Sequence, residues 1–327
     1  MLFLGIDLGA TNIAAALVDD GGLIIRQESV PTLAKRSAQE IIDDITGLAL
    51  RLVFEEGLSE RDITAVGIGI PGVVTPETGI VQLCPNLNWR QLPLKDLLQK
   101  QLSMPIHITN DANCAALAEL YGGAFRGRQN AVLMTLGSGI GGGVIFGGRL
   151  HTGAHGTAGE IGHLVVELDG ELCECGNRGC FERYASADAL IRSMATDALT
   201  RSASADALTC SRAADTQNRT PSDIPLTAKD VIDAAKDGNA AATSAFEKYV
   251  YNLAKGIVSI INLYDPEVVA LGGGVSHAGD FLLQAVRDEV AEHQFIKGYP
   301  VAEIVLATLG NEAGLVGAAL YARQKET

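Results

Sequence analysis

One pattern constrains the fold of this chain before composition enters. A short apolar strand, a tight turn built on Gly and a returning apolar strand occur twice. The first copy runs over Leu2–Asp7, turns through Asp7-Leu8-Gly9-Ala10-Thr11-Asn12 and returns over Ile13–Val18. The second runs over Ala131–Leu136, breaks at Gly137-Ser138-Gly139 and resumes as Gly143–Phe146. Set side by side, Asp7-x-Gly9-x-Thr11 falls opposite Thr135-x-Gly137-x-Gly139. Apolar runs joined through Gly turns read as hairpins. Two matching hairpins suggest a duplicated domain, and two unrelated hairpins are the competing reading at this point.

The segments between the copies alternate in type. Ile41, Ile42, Ile45, Leu48, Leu52 and Val53 carry helical spacing and predict a helix over Ser37–Glu56. Ala65–Ile70 predicts a buried strand ending at Pro71-Gly72, and Ile106–Thr109 another, running into Asn110-Asp111 and a helix over Ala112–Tyr121. Helical spacing returns over Ala228–Ala235 and Ala240–Leu263. A strand at Val268–Leu271 leads to Gly272-Gly273-Gly274, a last strand covers Ile304–Ala307, and Glu312–Gln324 closes as a helix. Strands interleaved with helices predict an α/β fold, and 327 residues are about two domains' worth. Residues 195–222 differ in character, and Ala-Ser-Ala-Asp-Ala-Leu occurs at 185–190 and again at 203–208, so this stretch reads as a surface insertion.

Charge narrows the function classes. The formal net charge of −14 disfavours a nucleic-acid or membrane-surface partner, which would want a basic face. The apolar start has neither a basic n-region nor a small-residue cleavage site, and no apolar run reaches the ~18–20 residues of a span. Three of the six cysteines crowd into 173–180, unlike a secreted disulfide framework. The expectation is a cytoplasmic enzyme.

Three glycine turns, 7–12, 135–143 and 272–274, each follow an apolar strand. Such turns bring backbone N–H groups close to phosphate oxygens. The candidate nucleotide contacts are therefore Gly9, Thr11, Asn12, Thr135, Gly137, Gly139, Gly272, Gly273 and Gly274, with Asp7 placed to hold a hydrated Mg²⁺. No Gly-x-x-x-x-Gly-Lys-Ser/Thr loop occurs. Asn110-Asp111, between strand end and helix start, reads either as a helix cap or as a general base for a hydroxyl, and one residue of the pair can do each. His163 with Cys173, Cys175 and Cys180 makes a Cys₃His tetrahedral zinc set, structural because no position stays open; a disulfide is the rival reading. Glu160 and Glu182 flank this cluster and suit hydrogen bonds from a polyol.

The run Gly137-Ser-Gly-Ile-Gly-Gly-Gly through Gly147-Gly148, Thr152-Gly153, Ala158-Gly-Glu-Ile-Gly-His163 and the Cys-x-Cys-x₄-Cys cluster resembles the ROK family of repressors and sugar kinases. The likeness extends from Asp7-x-Gly-x-Thr to Gly310-Asn-Glu-Ala-Gly-Leu-Val-Gly. It implies the actin/hexokinase fold: two ribonuclease H-like lobes, each a mixed sheet flanked by helices, with the active site in the cleft between them. The implied division is 1–121 plus a helix at about 311–327 for the smaller lobe, and 122–310 for the larger. The implied reaction is Mg-ATP-dependent phosphorylation of a hexose 6-hydroxyl. Asp111 matches the family's base. Asn110, Asp111, Glu160, His163 and Glu182 match its sugar ligands, with Gly72 and Asn86 as further candidates. His163 would give one nitrogen to zinc and the other to a sugar hydroxyl. Gly-Glu-Ile-Gly-His with Pro85-Asn86-Leu87-Asn88-Trp89 resembles the family's glucokinases, so glucose is the expected sugar. N-acylated amino-sugar kinases, fructokinases and a weakly active sugar sensor are the alternatives, and polyphosphate is the alternative donor. A helix-turn-helix of the repressor kind finds no room ahead of Asp7, and a homodimer or homotetramer is expected.

Overall fold

The computed structural model describes residues 1–195 and 226–327, so the 195–222 insertion lies, apart from Ala195, outside the described residues. The first hairpin forms as its pattern requires. β1 (Leu2–Leu8) pairs antiparallel with β2 (Asn12–Asp19), Asp7 facing Ala14, and β2 continues to β3 (Ile24–Pro31). A capping box of Ser37 and Glu40 starts α1 (Ala38–Glu55), which lays its apolar stripe against β2 and β3. β4 (Ala65–Ile70) returns parallel to β1, every residue buried, as a parallel strand covered on both faces should be. β5 (Val73–Thr75), β6 (Ile80–Cys84) and β7 (Trp89–Leu92) then form a separate antiparallel sheet, followed by α2 (Leu94–Gln99). β8 (Ile106–Asn110) pairs parallel with β4, and α3 (Asp111–Gly122) leaves it directly.

The second half repeats this plan. β9 (Ala131–Leu136), β10 (Ile140–Phe146) and β11 (Arg149–Leu150) form the antiparallel part of a second sheet. Then come α4 (Glu182–Ala185), α5 (187–195), α6 (Ala228–Lys236) and α7 (Ala240–Tyr264). β12 (Val268–Gly272), α8 (Asp280–His293), β13 (Glu303–Leu306) and α9 (Ala313–Glu326) complete the described chain. The two sheets have the orders β3-β2-β1-β4-β8 and β11-β10-β9-β12-β13, matching strand for strand. Asp7 sits between Ala14 and Gly69 as Thr135 sits between Gly141 and Gly272. The two hairpins are therefore copies of one unit, and the unrelated-hairpin reading falls.

α9 packs on the first sheet, α3 on the second, and the two helices pack on each other. That contact is close because glycine permits it. A Cβ at Gly67 would lie 1.7 Å from the Ala318 carbonyl oxygen, and one at Gly317 would lie 1.7 Å from that of Cys114. The fit holds the C-terminal helix against the N-terminal sheet and places the start of α3 at the junction of the two halves. Among the elements that go unassigned in the sequence reading are β5–β7 and α8. In β5–β7 the strands are short and carry Gln82, Arg90 and Gln91, which break the apolar signal. In α8 the inward Leu282, Leu283, Val286 and Val290 are spread among charged neighbours. Among the described residues, no helix is long and apolar enough to cross a membrane.

Candidate active site

The ends of β1, β4 and β8 bring Asp7, Gly69 and Thr109 into one row, and the chain turns into α3 just beyond. Asn110 is the helix N-cap. Its Oδ1 accepts from the Ala112 N–H at 2.8 Å, and its Nδ2 donates to the Gly72 carbonyl at 3.2 Å. Asp111 is the first helical residue, and its Oδ1 also accepts from the Ala112 N–H, at 2.8 Å. The capping and carboxylate roles thus fall to different residues of the pair, as the sequence allowed. Burial, reinforced by the Asp7 charge and more weakly by Glu160, pushes the Asp111 carboxyl up to about 6. Burial also raises Asp7.

A cleft of about 390 Å³ opens over this point, large enough for a small ligand. It is lined from the first half by Gly72, Asn110 and Asp111, and from the second by Thr135, Gly137, Gly139, Glu160, His163, Glu182 and Gly273. Pro71, Val73, Leu83, Pro85, Ser138, Ile140 and Gly141 complete its walls. Asn86 lines an adjoining cavity with His163 and Glu182. Asp7, Gly9, Thr11, Asn12, Gly272 and Gly274 are not in the cleft wall, and Gly272 is buried in the sheet.

The glycine turns differ in detail from a simple row of N–H donors. The Gly9 N–H donates to the Asn12 carbonyl and the Gly137 N–H to that of Gly139, so both close their own turns. Gly139 has a second use: a Cβ there would stand 2.6 Å from Glu182 Oε2, so the glycine makes room for that carboxylate. Gly273 has φ +80° and brings backbone against Leu136, a conformation that favours glycine. The Gly72 N–H donates to Ile70, and its carbonyl receives Asn110, so Gly72 braces Asn110 from behind.

His163, Cys173, Cys175 and Cys180 come together, their ligand atoms all within 4.8 Å of one another. Cys175 Sγ is 3.6 Å from Cys180 Sγ, and Cys173 Sγ is 3.8 Å from His163 Nδ1. Zn–S and Zn–N bonds of about 2.0–2.3 Å in a tetrahedron need ligand separations of roughly 3.3–3.8 Å, so this donor set fits zinc with small movements. All described cysteines are free thiols. Cys173 Sγ donates to Glu182 Oε1 at 3.0 Å, which ties the cluster to the cleft. With Nδ1 facing the thiols, His163 keeps Nε2 on the other side of its ring. Burial raises the Glu160 carboxyl, with neighbouring His163 opposing the rise and the Glu182 charge adding to it.

One residue went unnoticed in the sequence. Glu119, near the end of α3, is 1% exposed and accepts four hydrogen bonds. They come from the N–H groups of Ala124 (2.6 Å), Thr308 (2.8 Å) and Leu309 (2.9 Å), and from the Thr308 hydroxyl (3.0 Å). A single charge inside the apolar run Cys-Ala-Ala-Leu-Ala-Glu-Leu was the available signal. Glu119→Gln would replace one acceptor oxygen by an NH₂ facing donors. The expected cost is about 3 kcal/mol from two lost charge-assisted bonds, read as a lower urea midpoint with an unchanged slope.

The family model described as "ROK family" matches residues 3–325. A glucokinase of Streptomyces coelicolor is 36% identical over 327 residues, covering 99% of this chain and 98% of the relative. The ROK family glucokinase of Streptomyces griseus, crystallised with glucose and AMPPNP, is 35% identical with a TM-score of 0.79, covering 99% of this chain and 100% of that one. The ROK hexokinase of Thermus thermophilus is 31% identical with a TM-score of 0.83, covering 99% of each. Full-length coverage by the family model and by relatives above 30% identity, on a fold of two matching sheets, makes this chain a member of the ROK family.

Proposed function

We propose that the chain transfers the γ-phosphoryl group of ATP to the 6-hydroxyl of glucose, in the cleft between residues 1–121 with 311–327 and residues 122–310. The observation that carries this is the position of Asp111 in the cleft wall, with the glycine turns of the second half and the Glu160–His163–Glu182 group lining the same cavity. The Streptomyces griseus enzyme with glucose and AMPPNP supports the choice of sugar and donor.

Asp111 is the base. Its Oδ1 is held by the Ala112 N–H, and its other oxygen takes the proton as the sugar oxygen bonds to phosphorus and the bond from phosphorus to the ADP oxygen breaks. Glu160, Glu182, His163 Nε2 and the second N–H of Asn110 Nδ2 hold the other hydroxyls, and Asn86 adds a contact from the neighbouring cavity. Thr135, the Gly137–Gly139 turn and Gly273, which line the cleft, would face the phosphates. Mg²⁺ held by Asp7 would neutralise phosphate charge. Zinc held by His163, Cys173, Cys175 and Cys180 would tie the Glu160–His163 segment to the loop leading into Glu182. Aligning the hydroxyl on the phosphorus and excluding water then supply most of the rate. Glu119 positions Asp111 by pinning the far end of its helix.

Two results test the reading. Over a panel of glucose, N-acetylmannosamine, N-acetylglucosamine and fructose, with ATP and polyphosphate as donors, kcat/KM is expected to be highest for glucose with ATP. An N-acetylated sugar as best substrate would move the assignment to the amino-sugar kinases, and activity with none would favour a sensor. The pH profile of kcat/KM should fall below pH about 6 as Asp111 takes up its proton.

A further inference from the structure

Away from the cleft, a cavity of about 250 Å³ gathers polar atoms that the chain leaves unsatisfied. Arg183 Nε, Ser193 Oγ and Tyr249 OH all belong to its lining residues, and each is buried without a hydrogen-bond partner. They come from α4, α5 and α7, and Tyr249 is 1% exposed. Buried polar atoms nearly always find partners, and each one left bare costs about 1–3 kcal/mol. Three such atoms on residues lining one cavity therefore point to a bound group. Its charge is specific as well. Arg183, Arg192 and Lys248 line it against two carboxylates, Glu167 and Glu171, in a chain of net charge −14. Glu171 accepts from Arg183 at 3.2 Å and from Arg192 at 3.4 Å, while Lys248 makes no ion pair among the described residues.

We propose that this cavity binds a small metabolite bearing an oxyanion, a phosphate ester or a carboxylate. Arg183 Nε and Lys248 meet the anionic oxygens, and the Ser193 and Tyr249 hydroxyls complete the shell. The ligand would sit one residue along α4 from Glu182, yet outside the cleft. The proposal is independent of the sugar-kinase reading, because it is tested by binding and not by turnover.

Calorimetric titration of the full chain with inorganic phosphate and, separately, with malonate tests it. Saturable binding of at least one probe is expected, the stronger probe showing which oxyanion class the site takes. Tyr249→Phe and Lys248→Met should each weaken it about tenfold or more, as expected for a hydrogen bond to a charged group. Asp7→Asn, at the other site, should leave it unchanged. Tyr249→Phe removes an unpartnered hydroxyl, so the ligand-free variant should melt no lower than the parent. Absence of binding by both probes, binding insensitive to Tyr249 and Lys248, or a clearly lower melting temperature for Tyr249→Phe would each overturn the proposal. The last outcome would mean that ordered water already satisfies the hydroxyl.

Discussion

Asp111→Asn is expected to lower kcat by at least ~10²–10⁴, the usual contribution of a general base, while sugar binding stays roughly intact. The amide keeps the shape and the Ala112 contact but cannot take the proton. The same variant should be more stable than the parent at neutral pH. Asp111 has a folded-state pKa raised from 3.8 to about 6. Between those values the folded state binds more protons than the unfolded one, so this group's contribution to stability falls as pH rises through that window. Above it the ionised carboxylate costs on the order of 2–3 kcal/mol, which asparagine avoids. Melting curves should separate at pH 7–8 and converge near pH 3. A variant that turns over normally would leave Asp111 as one more capping residue. A variant less stable at neutral pH would contradict the electrostatic account.

Cys175→Ser carries the second large effect, because one substitution joins folding to substrate binding. Wild type should hold one Zn²⁺ per chain by elemental analysis, and the variant should hold none, since a neutral hydroxyl is a poor ligand. Thermal stability should fall with the metal. Glu182 lies against the cluster, 3.0 Å from Cys173 Sγ, and His163 belongs to both the cluster and the cleft. Loss of the cluster should therefore raise the sugar KM by about 10–100-fold, the loss of one charge-assisted hydrogen bond. The ATP KM should change far less, because Asp7 and Thr135 lie on sheet strands that do not carry the cluster. Fully active protein without zinc, or equal rises in both KM values, would sink the shared role of the cluster.

The sequence showed most of what depends on local chemistry. Ala65–Ile70 and Ala131–Leu136 form strands with the bounds their apolar runs predict, and the second hairpin's Gly turn repeats the first. Asn110 was readable as a cap because it stands where a strand end meets a helix start. What depends on distant contacts was not legible. Gly67 looks like part of any apolar strand, yet it is there to admit α9 from the far end of the chain. Gly139 resembles a phosphate-loop residue, and its missing side chain leaves room for Glu182. Glu119 looks like a stray charge until Thr308 and Leu309, nearly 190 residues on, are seen to bond to it.

The central claim is tested most directly by the ³¹P NMR spectrum of purified wild-type protein incubated with glucose and Mg-ATP. The account predicts glucose 6-phosphate and ADP appearing in equal amounts, with the phosphate coupled to the two C6 protons. Phosphate on another hydroxyl, or ADP formed with inorganic phosphate and no sugar ester, would contradict it.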